Sequence, residues 1–289
     1  MRPYLFEFPS WVPLFGGQPL YLYGAMLGVA FLVGWSLCTE LCRRDGMPPS
    51  AVSKLLLSIV VSAVLGARLM HFVTAPDVHF TLSEFVRFSD GGMVAYGGML
   101  AAVMTSAVVS RAYHISWWQF GDNAIPGLAL GLGITRIGCF FFGCDYGMRS
   151  EASYAVSFPR WDYAGVIDRL SPAYTAHHES LEFTEMHGLF YSESVIPTQL
   201  MESLVGFLLF GLLLCRRPFV RQRGELIHWF FGLYGMARFG IEVIRGDVDR
   251  GLDVWGTGMT PSQLISWLAL TLVSLSFIIR RRNRESVGA

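Results

Sequence analysis

Residues 120–142 read FGDNAIPGLALGLGITRIGCFFF, an apolar run with one acid near its start and one arginine near its end. At a helical rise of about 1.5 Å per residue it is about 34 Å long, enough to cross a hydrocarbon core of about 30 Å. The composition of the whole chain agrees. Of its 289 residues 53% are hydrophobic and only 15% are charged, with mean hydropathy +0.44, whereas ordinary globular domains carry about 25% charged residues. Such a composition argues against a soluble enzyme.

Six further stretches are long and apolar enough to span: 20–42, 52–73, 93–113, 197–215, 225–245 and 261–279. The expected fold is an all-α polytopic membrane protein, with seven transmembrane helices and a small extracytoplasmic cap. Residues 1–19 form an interfacial lead-in, without the basic start and compact apolar centre of a cleaved signal peptide. Residues 20–147 hold helices one to four, 148–196 the cap, and 197–289 the last three helices with a basic tail. The cap is acidic and aromatic, and alternation over Ser153 to Phe158 suggests a short strand pair.

Net charge is zero, and the 22 basic residues are arginines apart from Lys54. Without a surplus of positive charge, nucleic acid is not expected as a partner. Placing the amino terminus outside puts twelve Lys and Arg residues in the inner segments against six in the outer ones. Positive charge is retained on the cytoplasmic side, so the amino terminus is expected to be periplasmic and the carboxyl terminus cytoplasmic.

Four arginines remain inside the apolar stretches. Arg68, Arg136 and Arg238 lie about 24, 22 and 18 Å from the inner ends of their helices, and Arg245 closes helix six. An arginine at a helix centre costs about 2.5–3.5 kcal/mol even on insertion scales. One explanation is that these side chains snorkel outward or tie helices together through Glu202 and Glu242. For Arg136 and Arg238 another is favoured: cations at one depth, unmatched by nearby acids, hold an anion, and guanidinium groups grip phosphate bidentately. In the outer leaflet that anion is a phospholipid head group. Arg238, Glu242 and Arg245 share one helical face and can pair. Glycines 127, 131, 133, 138, 143 and 147 clear space around Arg136. The Gly-x-x-x-Gly spacings at Gly24/Gly28, Gly127/Gly131 and Gly143/Gly147 read as helix packing.

Cys139 and Cys144 leave open a disulfide, a reactive thiol or plain packing, of which packing is favoured. His177, His178 and His187 with Glu179, Glu182 and Glu185 lack H-E-x-x-H spacing, so no metal and no cofactor is expected. Trp117-Trp118 reads as an interface anchor.

The segment Gly133-Ile-Thr-Arg-Ile-Gly-Cys-Phe-Phe-Phe-Gly-Cys-Asp-Tyr-Gly147 resembles the signature of the prolipoprotein diacylglyceryl transferase family, approximately G-R-I-G-N-F-x-N-G-x-x-x-G. Four other blocks agree in order and spacing, so the resemblance covers nearly the whole chain. They are Leu22-Tyr-Gly24, Gly91 to Gly98, Pro197-Thr-Gln-Leu-Met-Glu202, and Tyr234 through Arg245-Gly-Asp247.

The resemblance implies a multi-pass enzyme of the bacterial inner membrane that acts in lipoprotein biosynthesis. Its partners would be phosphatidylglycerol, the signal peptides of preprolipoproteins, and the lipid bilayer. It would move a diacylglyceryl group to a lipobox cysteine thiol and release glycerol phosphate. By that similarity Arg136 and Arg238 match the arginines that handle the head group. Tyr23, Gly147, Tyr234 and Glu242 fall on motif positions, as do Asp122 and Gln199. Gly97, Gly98, Cys139, Glu202, Arg245 and Arg68 complete the candidate substrate-binding set.

The chain also departs from the pattern. Where the family reads H-G-G it has Tyr96-Gly97-Gly98, and the signature asparagines are Cys139 and Phe142. Tyr96 is a catalytic candidate as proton acceptor if nearby cations lower its pKa from about 10, and otherwise it hydrogen-bonds the lipid. Two other functions stay open: a transferase on the same scaffold with a different acceptor, and a phospholipid-binding or transport protein without chemistry.

Overall fold

A computed structural model describes residues 4–12, 17, 19–74, 81–86, 92–160, 171–178, 184–186, 189–247 and 257–287. Two compact units emerge, residues 35–124 on one hand and residues 1–34 with 125–289 on the other.

The 35–124 unit is built from the later part of α1 (Leu22–Arg44), α2 (Pro49–Thr74), the short α3 (Leu82–Val86), α4 (Ala95–Ala112) and the opening of α5 (Trp117–Phe142). Cys38, Cys42, Val52, Leu55, Ile115 and Phe120 form its core. Asn123 Nδ2 donates to Asp45 Oδ2 at 2.7 Å. Helices α2 and α4 touch backbone to backbone through Gly66, Gly97 and Gly98. A Cβ on Gly97 would lie 2.3 Å from Met70 Cβ and 2.4 Å from the Gly66 carbonyl oxygen. Neither neighbour is the free end of a flexible side chain. Gly97→Ala is therefore expected to force α2 and α4 apart and lower stability by about 1–3 kcal/mol, the usual cost of overpacking. Thermal unfolding in detergent checks this, and an unchanged melting temperature would refute it.

The second unit opens with β1 (Tyr4–Glu7) paired antiparallel with β2 (Pro19–Tyr21), which runs into α1. After the rest of α5 come α6 (Pro172–His178), the hairpin β3 (Thr184–Met186) and β4 (Leu189–Tyr191), and α7 (Thr198–Arg216). A 3-10 turn Arg217–Phe219, α8 (Glu225–Val243) and α9 (Pro261–Val287) complete it. Ile125 and Ala129 of α5, Leu209 and Leu213 of α7, and Leu226 and Phe230 of α8 share one core. Helices α5 and α7 approach closely because Gly206 faces Gly133: a Cβ on Gly206 would stand 2.6 Å from the Gly133 nitrogen. Ser203 Oγ donates to the Gly133 carbonyl at 2.8 Å across the same contact. One turn farther along α5 stands Arg136, and just before Ser203 on α7 stands Glu202.

The protein is an all-helical membrane protein. Among the described residues four helical segments are long and apolar enough to cross a bilayer: Leu22–Arg44, Pro49–Thr74, Trp117–Phe142 and Thr198–Phe219. The stretches expected to span at 93–113, 225–245 and 261–279 are helical as α4, α8 and α9, but the count of seven does not follow from them. Physical reasons are visible in two of them. Glycine, serine, threonine and an arginine dilute α4, and α8 carries Glu225, Arg238 and Glu242.

Three local expectations change. The lead-in contains a strand that pairs with the chain entering α1. Within the cap, Val156 and Arg149 each form an isolated bridge with Val195, and the regular hairpin lies at β3 and β4 instead of over 153–158. Of the Gly-x-x-x-Gly pairs that lie within helices, Gly127 makes a helix-to-helix approach, to Gly34, where a Cβ would sit 2.9 Å from the carbonyl oxygen. Gly24 and Gly28 face open space, and Gly143/Gly147 lie beyond the end of α5.

Candidate functional site

Glu202 of α7 is the hub of a buried ion-pair network. Its Oε2 forms an ion pair with Arg136 Nε of α5 at 2.7 Å, and its Oε1 lies 3.4 Å from Arg238 Nε of α8. Tyr234 OH donates to the same Oε1 at 3.4 Å, and its ring stacks on Phe230. Tyr234, Arg238 and Glu242 are spaced by four residues and so lie on one face of α8. Arg238 Nη1 stands 2.5 Å from Glu242 Oε2 as a charge contact, and Arg238 Nη2 donates to Ser262 Oγ at 2.9 Å. Arg136 Nη1 donates to Asp145 Oδ2 at 2.6 Å and reaches Cys139 Sγ at 3.7 Å. Arg245 completes the network. Its Nη2 meets Asp145 Oδ1 at 2.7 Å, its Nε donates to Asp247 Oδ1 at 2.8 Å, and its Nη1 lies 3.8 Å from Glu242 Oε2.

The segment after α5 is held by its own chain chemistry. Gly143 adopts φ +79°, the left-handed conformation that ends a helix. Cys144 N–H then returns to the Cys139 carbonyl at 3.3 Å, a six-to-one bond of the Schellman type. Two side chains at the start of α7 fix the backbone just past this turn. Gln199 Nε2 donates to the Cys144 carbonyl and Thr198 Oγ1 to the Asp145 carbonyl, both at 2.7 Å. Gly147 N–H donates to the Ile196 carbonyl at 2.8 Å, and a Cβ on Gly147 would come within 2.7 Å of Ile196 Cβ. Asp145 is thereby delivered to the arginines by backbone whose carbonyls at Cys144 and Asp145 are both hydrogen-bonded from α7.

Burial alone would raise the Asp145 carboxyl, but Arg136, Arg245 and Arg238 more than offset it and hold the group below the ordinary aspartate range. The neighbouring Cys144 thiol is pushed up, first by its hydrogen bond with Cys139 and then by burial. Among the described residues of the network three guanidiniums face four carboxylates, Asp145, Glu202, Glu242 and Asp247. With all of them ionised the formal charge is minus one. The expectation of cations unmatched by nearby acids is thus corrected: burying bare guanidiniums costs too much, and the fold supplies carboxylates for each. One donor group is left over. Arg136 uses Nε and Nη1, while its Nη2 has no hydrogen bond or ion pair among the described residues.

Most sequence-derived candidates meet in this unit: Arg136, Arg238, Cys139, Gly147, Gln199, Glu202, Tyr234, Glu242 and Arg245. Tyr23 joins them within electrostatic reach of Arg136, Cys139 and Asp145, and its ring lies 6.2 Å from that of Phe142. Tyr96, Gly97, Gly98, Asp122 and Arg68 belong to the 35–124 unit. There Gly97 and Gly98 serve the α2–α4 contact, since the space a side chain would fill is occupied by α2. Arg68 binds carbonyls of its own unit, donating to Glu84 at 2.6 Å and Gly92 at 2.9 Å, with its guanidinium 5.2 Å from the Phe72 ring. That tie explains why a buried arginine is kept on α2. His178, His187 and their glutamates as a metal group lie outside the described side chains.

Three participants were not singled out from the sequence: Asp145, Asp247 and Ser262. Asp145 and Asp247 each sit inside a motif block, and their charge next to an arginine-bearing helix was the available signal.

The fold and site define an all-helical membrane protein whose helices bury a shared arginine–carboxylate network. A family profile described as prolipoprotein diacylglyceryl transferase matches residues 9–280, and the chain belongs to that family. Among curated relatives, a phosphatidylglycerol–prolipoprotein diacylglyceryl transferase of Bacillus cereus strain G9842 is 28% identical over 269 residues, covering 93% of this chain and 90% of that protein. Similarly named proteins of Bacillus cereus strain 03BB102 and Bacillus anthracis strain A0248 are 29% identical over the same length, with the same coverage. The chain is accordingly a transferase of lipoprotein biosynthesis, with diacylglyceryl transfer to prolipoproteins as its activity.

Proposed function

We propose that the donor is phosphatidylglycerol, that the acceptor is the lipobox cysteine thiol of a preprolipoprotein, and that Arg136 receives the lipid phosphate. A thiolate displaces the phosphate ester from the glycerol carbon: a sulfur–carbon bond forms, the carbon–oxygen bond breaks, and glycerol phosphate departs. Negative charge grows on the leaving phosphate. A fixed guanidinium in a water-poor site stabilises it without reorganising at the moment of reaction.

The observation that carries this reading is Arg136 Nη2, whose two N–H groups remain available while Nε and Nη1 are anchored by Glu202 and Asp145. Arg238 is assigned a positioning role through Glu202. Gln199 is fully buried, and its Oε1 accepts no hydrogen bond among the described residues, which suits it to a hydroxyl of the glycerol head group. We further place the protein in the bacterial inner membrane as seven spans, with a periplasmic amino terminus and the network toward the periplasmic side, as the distribution of Lys and Arg indicates.

Purified protein incubated with phosphatidylglycerol and a lipobox peptide should yield diacylglyceryl-peptide and glycerol phosphate in equal amounts. Lipid binding without glycerol phosphate release would sink the proposal. The proton acceptor is probed separately. If the Tyr96 phenol takes the thiol proton, Tyr96→Phe loses at least about tenfold in rate, since general-base catalysis contributes about 10²–10⁴-fold. Full activity in Tyr96→Phe ends that role. A second reading, a different acceptor on the same scaffold, is favoured by Cys139 and Tyr96 standing where the family pattern has asparagine and histidine. Complementation of a strain lacking its own transferase separates the two.

A further inference from the structure

We propose that Cys139, Cys144 and Asp145 form a binding site for a thiophilic divalent cation of the zinc or cadmium class. One donor atom from each residue lies within 4.8 Å of the other two. A tetrahedral ion with bonds of about 2.3 Å to sulfur and 2.0–2.2 Å to oxygen holds its donors about 3.5–3.8 Å apart. Cys144 Sγ and Asp145 Oδ2 are already at 3.7 Å. The remaining donor pairs lie within 4.8 Å and have to close by about 1 Å or less.

The linear spacing, Cys-x-x-x-x-Cys-Asp, is no recognised metal motif. The geometry arises from the helix end instead. In a Schellman termination the third residue before the cap and the second after it come into side-chain contact. Gly143 ends α5, so those two positions are Cys139 and Cys144. A contact usually made by two apolar side chains is here made by two thiols, both free of disulfide.

The surroundings suit a ligand set. Ligating carboxylates are usually fixed by hydrogen bonds from outside the coordination sphere, and Arg136 and Arg245 each hold one oxygen of Asp145. Gln199 and Thr198 pin the carbonyls of Cys144 and Asp145. Charge balances as well. Two S–H bonds break, two metal–sulfur bonds form, two protons pass to solvent, and the dication leaves the network's formal charge where it was. Three protein ligands leave a fourth position for water. The site does not depend on the transferase reading.

The test uses the full chain, purified reduced in detergent, equilibrated with cadmium ion alone and dialysed, with retained metal counted by mass spectrometry. One ion per chain is expected. Cys139→Ser and Cys144→Ser should each weaken binding by at least about 100-fold, and Asp145→Asn by about tenfold or more, while Cys38→Ser and Cys42→Ser leave it unchanged. Bound cadmium should also shield Cys139 and Cys144 from alkylation. Retention of no metal overturns the proposal, as does equal retention in the Cys139→Ser/Cys144→Ser variant, or loss of the ion through Cys38 and Cys42 instead. Spontaneous formation of a Cys139–Cys144 disulfide that cadmium fails to prevent also overturns it.

Discussion

Arg136→Lys is expected to lower kcat/KM for diacylglyceryl transfer by about 10²–10³-fold, the range seen when one preorganised donor to a developing oxyanion is lost. The expectation rests on how the five N–H groups of this guanidinium are divided. Nε is held by Glu202 at 2.7 Å and Nη1 by Asp145 at 2.6 Å, so the planar group is fixed and Nη2 is the part left to meet an incoming anion. Lysine keeps the charge but offers a single ammonium that cannot bridge two carboxylates and a phosphate in one plane. Arg238→Lys should cost distinctly less, because a cation beside Glu202 and Glu242 preserves what Arg238 does in the network. The pair is compared by single-turnover rates on phosphatidylglycerol and a lipobox peptide, with melting temperatures as a control for folding. Equal losses in the two variants would mean that both arginines touch the phosphate. No loss in Arg136→Lys would remove Arg136 from the chemistry.

How much of this is legible in the sequence can be argued residue by residue. Long apolar runs with isolated arginines point to the all-helical membrane class, because bilayer thickness dictates length and the cost of a buried charge makes each exception conspicuous. The number of spans is less legible. Helices α4 and α8 pack through small or charged residues, and hydropathy does not separate a spanning helix from one buried among others. For Arg136, Arg238, Glu202 and Glu242, motif spacing points to one cluster, and they form one. Asp145 escapes such a reading, because its role depends on the left-handed turn at Gly143 and on two side chains from the start of α7, contacts about fifty residues distant in sequence. The same turn juxtaposes Cys139 and Cys144, whose linear spacing counts against a metal. Arg68 shows the converse. Its depth in the chain matches that of Arg136 and Arg238, yet its donors meet the carbonyls of Glu84 and Gly92. Depth is one coordinate of three.

Glu202→Ala is expected to destabilise the protein by about 3–5 kcal/mol, the cost of removing one partner from a buried ion pair. Glu202 is 1% exposed, and its two oxygens serve Arg136, Arg238 and Tyr234 on two other helices. Without it two guanidiniums lose an acceptor in a place where water does not readily replace it. In a chain of this size that corresponds to a fall of roughly 10 °C in melting temperature. Glu202→Gln should fall between the two, since an amide oxygen still accepts one of the hydrogen bonds while the charge is gone. The decisive comparison is Glu202→Ala combined with Arg136→Met. If the glutamate acts by compensating Arg136, the double variant loses less than the sum of the single losses, because the stranded cation is removed along with its partner. Strict additivity would mean that the two side chains, 2.7 Å apart, stabilise the fold independently, and the shared carboxylate would then have to be assigned to Arg238 and Tyr234 alone.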